Sequence, residues 1–308
     1  MPSRIPVSSA LVALLGMTMT MGCGERARSN PDSAHALPPV YPGAPTGNTG
    51  WDSDAGPVII VPLENSLDTA AVIVPEATDS TVSVVETMRA PVTGLTFDLF
   101  GRSGRVASAA RVSSLPPVDT SKRDCYGWPL AKLLEKPSEW TVGFANGRAV
   151  ATPIDSIETM RSADSASMAA ALTRAAATLP GVADPTFRGL PFRVRTAYRF
   201  RVDSVDVVVA DVVRAVNEEA NPRIEHLLIV GERPTGSAST FAVRYSNRTA
   251  GSEDSTQASE LLSVVAIGES KKPVIVLGIE YSDGRRLGLL ERVAGEWRAA
   301  WRSAYTDC

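Results

Sequence analysis

Residues 191–202 read Pro-Phe-Arg-Val-Arg-Thr-Ala-Tyr-Arg-Phe-Arg-Val, with apolar residues alternating with arginine along most of the stretch. Period two is the spacing of a β-strand with one buried and one solvated face, and it does not fit the 3.6-residue turn of a helix. The pattern continues toward the carboxyl terminus. Ile224–Val230, Thr240–Tyr245, Val274–Tyr281, Arg286–Glu291 and Glu296–Arg302 follow as strand-like runs, with Ser282-Asp283-Gly284 and Ala294-Gly295 as tight hairpin connections. In the last run, period two puts Trp297, Ala299 and Trp301 on one side, and the aromatic pair is expected in a core rather than on a ligand platform. Val205–Val216 supports two readings: its valines have helical spacing, but their β-branching and the turn at Asn221-Pro222 favour a strand that pairs with Ile224–Val230. Ser252–Leu262 stays open between a loop and a short helix.

Upstream, one helix stands out. Asp164 or Ser165 is placed to cap it, Ala166–Thr178 is rich in alanine, Met168, Leu172 and Leu179 fall on one face, and Pro180-Gly181 ends it. A shorter helix is compatible with Ile154–Arg161. Leu95, Phe97 and Leu99 alternate with polar or small neighbours, Gly101–Gly104 supplies a turn and Val106–Val112 alternates again, which predicts a hairpin. Between Ser113 and Pro137, Pro116-Pro117 and Gly127-Trp128-Pro129 break up regular structure, apart from a short turn at Ala131–Glu135. Asn146-Gly147, between Trp140–Ala145 and Arg148–Thr152, is the strongest local hairpin signal, because both residues tolerate the positive φ of a type I′ turn. The fold class these signals give is mainly β (α+β): an antiparallel strand meander forming a sandwich, a barrel or a propeller-like set of sheets, with one clear helix at about 165–179.

Ahead of residue 92 the texture changes. Pro31, Pro38, Pro39, Pro42 and Pro45 with Gly43, Gly47 and Gly50 predict an open spacer, interrupted by two apolar pieces, Val58–Pro62 and Ala70–Val74, that read either as accessory strands or as linker. At the start, Arg4 precedes an apolar run from Val7 to Leu15, and Thr20-Met21-Gly22-Cys23 follows. This arrangement resembles the leader of the bacterial lipoprotein class, whose signal ends in a lipobox with its cysteine at the cleavage point; Thr20 departs from the usual Leu, Val or Ile. The resemblance covers the leader alone and carries no fold. It implies a signal peptide over 1–22 and a lipid on Cys23 as membrane anchor; the composition and patterning of the rest predict a flexible tether over 23–91 and a β-rich body over 92–308, with a subdivision near 181–190 left open. The resemblance also implies export to the cell envelope.

The chain has three cysteines, an odd number for an exported protein. If Cys23 is taken by lipid, Cys125 and Cys308 remain as an even pair, and an oxidising compartment lets them form a disulfide joining the last residue to the early part of the body.

The 44% hydrophobic fraction is that of a globular protein, and the formal charge of -3 provides no polybasic footprint for nucleic acid. His35 and His226 are the only histidines, and no zinc, P-loop or nucleophile-elbow spacing occurs, so no metal or cofactor is expected. Asp52-Ser53-Asp54-Ala55-Gly56 opens like a calcium loop but lacks the closing glutamate. The densest polar cluster is Glu218, Glu219, Glu225 and His226 around Asn221-Pro222. As a hairpin tip it brings carboxylates across the pair, where they are able to hold a metal or do acid–base work; as a solvated turn its charges are balanced by Arg214 and Arg223. The first functional expectation is a non-catalytic, membrane-tethered binding or assembly module, and the alternative is an exported hydrolase using that carboxylate and histidine cluster.

Overall fold

The computed structural model describes residues 59–63, 68–73, 95–114, 128, 130–134, 136–137, 139–180, 184–216, 221–237, 240–267, 272–282 and 284–306. The leader, Cys23, most of the proline-rich spacer, Asp52–Gly56, Cys125, Glu218, Glu219 and Cys308 lie outside the described residues.

The alternating stretch at 191–202 is strand β9 (Arg193–Val202), and it belongs to a five-stranded antiparallel meander. Its neighbours in spatial order are β8 (Asp155–Ser156), β9, β10 (Val205–Val216), β11 (Arg223–Pro234) and β12 (Ala242–Ser252). The ambiguous valine run is therefore a strand, joined to β9 by a tight turn in which Asp203 takes a left-handed φ of 51°. Its helix-like spacing has a simple origin. β10 is central and covered on both sides, so Val207 and Val209 serve one core while Val208, Ala210 and Val212 serve another.

A second antiparallel meander contains β13 (Ala258–Ile267), β14 (Pro273–Tyr281), β15 (Gly284–Val293) and β16 (Glu296–Arg302), with β7 (Ala149–Ala151) paired to β13 at its edge. Of the stretch 252–262, left open between a loop and a short helix, Glu253–Ser255 form a single 3₁₀ turn and the residues from Ala258 onward are neither, being the start of β13. Ala294 and Gly295, with φ of 52° and 83°, form the tight link between β15 and β16. Both positive angles suit a type I′ turn.

Six short strands make the third unit: β1 (Ile59–Pro62), β2 (Thr69–Ile73), β3 (Thr96–Gly101), β4 (Gly104–Ser114), β5 (Leu130–Leu133) and β6 (Val142–Ala145). Their pairing runs β1-β2-β5-β4-β3-β6 and returns to β1, which closes a small barrel. The two apolar pieces ahead of residue 92 are thus barrel strands, buried along almost their whole length. Within the proline-rich loop, the residues read as a turn at 131–135 supply β5 instead.

Side-chain alternation sorts these units into layers. Ile60, Val72, Phe97 and Leu99 fill the barrel, while Ile59, Ile73, Val142 and Phe144 on its outer wall pack against Val274, Val276 and Leu289 of the second meander, the middle sheet. The other face of the middle sheet, with Val264, Ile275, Leu277 and Trp297, packs on Phe200, Val207, Val209, Leu228 and Val230 of the first meander, the outer sheet. Helix α1 (Ser162–Thr178) covers the far face of the outer sheet through Met168, Leu172 and Ala176. The mainly β, antiparallel, one-helix architecture expected from the sequence is what the chain adopts.

Four local expectations are corrected. Trp297 and Trp301 do not share a face: β15 pairs Leu290 with Ala299 but Leu289 with Trp301, so Ala300 is an extra residue that flips the register. Trp297 enters the core between the sheets and Trp301 the core against the barrel. Asn146-Gly147 is a turn, with Gly147 at φ 72°, but β6 stays in the barrel while β7 crosses to the middle sheet. The turn instead satisfies a buried carboxylate: Asp98, 1% exposed, accepts hydrogen bonds from Asn146 Nδ2, Gly147 N and Ser108 Oγ, each 2.8 Å. The run 154–161 forms β8 and a 3₁₀ turn at 157–159 rather than a helix. The start of α1 uses neither Asp164 nor Ser165 as cap; Arg161 holds that position, and Asp164 in the first turn accepts from its Nε at 2.9 Å.

Candidate functional site

Glu225 and His226 are successive residues of one strand, so their side chains leave β11 on opposite faces. The cluster read from the sequence therefore divides in two, with Glu218 and Glu219 outside the described residues.

Glu225, 1% exposed, lies on the face covered by α1. The register sets Arg214 of β10 directly opposite it, and Arg214 Nε and Arg248 Nη1 each bind one of its oxygens. A cation rather than another carboxylate faces Glu225 across the pair, as cross-strand electrostatics favours. The Arg214 guanidinium lies 4.6 Å from the ring centroid of Phe192, and Arg248 Nη2 donates to the Leu179 carbonyl at 3.3 Å. Beside them, Arg223 Nη2 meets Asp184 Oδ2 at 2.6 Å. Hydrogen bonds from Thr186, assisted by the Arg223 charge, hold the Asp184 carboxyl below the usual carboxylate value. Glu225 is thus a buried counter-ion between two guanidiniums, not a solvated turn residue.

His226, 8% exposed, faces the other way. Its Nδ1 lies 3.0 Å from Asp211 Oδ2, and that same oxygen accepts from Arg195 Nε at 2.5 Å. Arg195 is the extra residue of a bulge in β9 opposite Asp211 and Val212. An aspartate orienting a histidine is two-thirds of a nucleophilic triad. Among the described residues, however, no hydroxyl or thiol hydrogen-bonds the histidine's Nε2. No group of three His, Cys, Asp or Glu side chains able to hold a metal occurs among them either.

A further buried carboxylate escaped the sequence reading. Glu232, on the same side of β11 as His226, accepts from Arg292 Nε at 2.7 Å, Arg292 Nη2 at 3.0 Å and Trp297 Nε1 at 2.7 Å, and so ties the outer sheet to the middle one. The Glu232 bond pushes Arg292 up from its ordinary value, against the opposing effect of burial. A charged residue inside an apolar strand run is the signal by which Glu232 and Asp211 could have been found.

The α1-covered face of the outer sheet also carries a cleft of about 280 Å³, toward the end opposite Glu225. Arg199 and Arg201 of β9, Asp206 of β10 and Arg233 of β11 line it, with Met168 and Phe241 as apolar wall. In sequence Arg199 and Arg201 read only as the polar side of an alternating strand.

No protein-family model, curated protein or solved structure matches the chain.

Proposed function

We propose that this chain is a non-catalytic binding module of the bacterial envelope, anchored through lipid on Cys23 and held off the membrane by its proline-rich spacer. The observation that carries the non-catalytic reading is the commitment of Glu225 and His226. They point to opposite faces of β11, and each is paired with a buried ionic partner. A hydrolase built on them needs a carboxylate and an imidazole converging on one substrate atom, and neighbours on one strand do not converge. The binding surface in this reading is the arginine-lined cleft, whose charged floor comes from β9, β10 and β11, each paired on both sides. The anchor rests on the lipobox-like Thr20-Met21-Gly22-Cys23; among the described residues no helix is long and apolar enough to cross a membrane.

The Cys125–Cys308 disulfide belongs to the same proposal, and one contact supports it. Trp128 Nε1 donates to the Ala304 carbonyl at 3.2 Å. Three and four residues of chain, about 10 and about 14 Å at full extension, separate that contact from the two cysteines. Mass spectrometry of the mature protein without reductant tests the anchor and the bridge. We expect an acylated Cys23 at the amino terminus and one intramolecular disulfide. An intact leader or an unmodified Cys23 overturns the anchor, and two free thiols overturn the bridge.

A further inference from the structure

The register of the outer sheet places one carboxylate among three guanidiniums. Asp206 on β10 is directly opposite Arg201 on β9 and Arg233 on β11, and Arg199 lies one same-face step along β9, opposite Val208. Strand period puts all four on the face that α1 covers. Near the start of that helix, Met168 forms one wall, and the arginines beyond it remain open to the cleft.

The charges in the cleft do not cancel. Three arginines stand against two carboxylates, Asp206 and Asp155. The internal ion pairs are also loose: Arg201 Nε is 3.3 Å from Asp206 Oδ1 and Arg199 Nη2 is 3.4 Å from Asp155 Oδ2. Arg233 Nε stands 3.6 Å from Asp206 Oδ2, beyond hydrogen-bond reach. A guanidinium offers five donors in a fixed fork that matches an oxyanion, so the three side chains hold far more donors than Asp206 and Asp155 engage. Arg233 is held in place as well, with its guanidinium 4.4 Å from the Phe241 ring centroid. A cleft wall whose guanidinium donors outnumber the carboxylates beside them presents what an oxyanion needs.

We propose that this cleft binds a small organic anion. One oxyanion group, carboxylate or phosphate, is taken up by Arg201 and Arg233 with Arg199 beside them, and a compact apolar body rests against Met168 and Phe241. The volume lies at the small end of ligand sites, which sets the scale at about one ring. Asp206 competes with the ligand for the same donors and tunes affinity downward. This assignment rests on the binding-module reading and names the ligand class of its site.

The test titrates the full-length chain, labelled with ¹³C at its methionine methyls, with phenyl phosphate, benzoate, inorganic phosphate and phenol at low ionic strength. We expect saturable shifts of the Met168 methyl with both aromatic anions, weaker binding of inorganic phosphate and none of phenol; the stronger of the two aromatic anions identifies the preferred head group. Arg201→Gln, at an exposed side chain that leaves folding intact, should weaken binding about tenfold, as expected for a lost charge-assisted bond. Asp206→Asn should tighten it several-fold, a direction that a merely structural carboxylate does not produce. Absence of a saturable shift with any anion at about tenfold above the millimolar range overturns the proposal. Binding indifferent to Arg201→Gln, or weakened in a folded Asp206→Asn variant, overturns it equally. An acylated Cys23 without cleft binding removes this assignment and leaves the envelope anchor standing, whereas cleft binding with an unmodified Cys23 does the reverse.

Discussion

Replacement of Glu225 by glutamine separates a structural carboxylate from a catalytic one. The side chain keeps its shape, but Arg214 and Arg248, with only 11% and 16% of their side chains exposed, lose their shared counter-charge. Removing one partner of a buried ion pair costs about 3–5 kcal/mol, because the other charge stays behind in a poorly solvated site. In a folded body of this size, each kcal/mol corresponds to about 2–4 °C in Tm, so Glu225→Gln should lower Tm by about 6–20 °C. Scanning calorimetry at neutral pH measures this directly. The double variant Glu225→Gln/Arg248→Met, which removes one of the two stranded cations, should recover part of the loss; coupling of that sign is what a shared ion pair predicts. An unchanged or raised Tm for Glu225→Gln refutes the reasoning. A carboxylate retained for chemistry at the expense of stability commonly gives a rise when neutralised.

Three further outcomes follow from other contacts. Glu232→Gln leaves Arg292 without its counter-ion between the two sheets, and should cost about 1.5–3 kcal/mol, read as a lower urea midpoint at unchanged m-value; an unshifted midpoint contradicts the link. Burial pushes the Tyr245 phenol up from its ordinary value, against the opposing charge of Arg302. The folded state then keeps a proton that the unfolded state releases, so this contribution is complete below about pH 10 and declines as pH rises through the folded value. Tyr245→Phe should lose stability less steeply than the wild type above about pH 10, and parallel curves would exclude this origin. A Cβ on Gly284 meets the Thr306 carbonyl oxygen at 1.8 Å, a backbone atom that has little room to yield. Gly284→Ala should therefore cost about 1–3 kcal/mol and raise amide exchange at Thr306, whose N–H donates to the Arg285 carbonyl at 2.9 Å; unaltered protection at Thr306 refutes it.

Strand character was legible wherever one face met solvent, as in β9 and β16, because alternation survives in composition. What alternation does not carry is a bulge. One extra residue at Ala300 sends Trp301 to a different core from Trp297, and no local feature of Glu-Trp-Arg-Ala-Ala-Trp-Arg announces it. Asn146-Gly147 shows the complementary limit: the residue types specify positive φ and a change of direction, while the partner of each flanking strand is fixed by segments far along the chain. β1 and β2 were obscured by the prolines around them, since short apolar runs gain meaning only from the ring that buries both their sides. For the site, adjacency on a strand sends Glu225 and His226 to opposite faces, although nearness in sequence groups them as one cluster. Their partners Arg248 and Asp211 were not legible, because each arrives through pairing with a separate strand. Asp206 and Arg233 join Arg201 in the same way.

The position of the middle sheet governs when this protein is able to finish folding. Ala151 finds its neighbour Val265 more than a hundred positions later, and the greasy flank of the barrel is roofed by β14, β15 and finally Trp301. As the polypeptide grows from its amino end, the barrel strands up to Ala145 have one another to pair with, but the barrel's outer flank stays uncovered until β13, β14 and β15 follow. Long-range pairing of this kind is slow, and it leaves apolar surface open to chaperone capture in the meantime. It is this flank, and not the barrel's interior, that waits for strands made more than a hundred positions later.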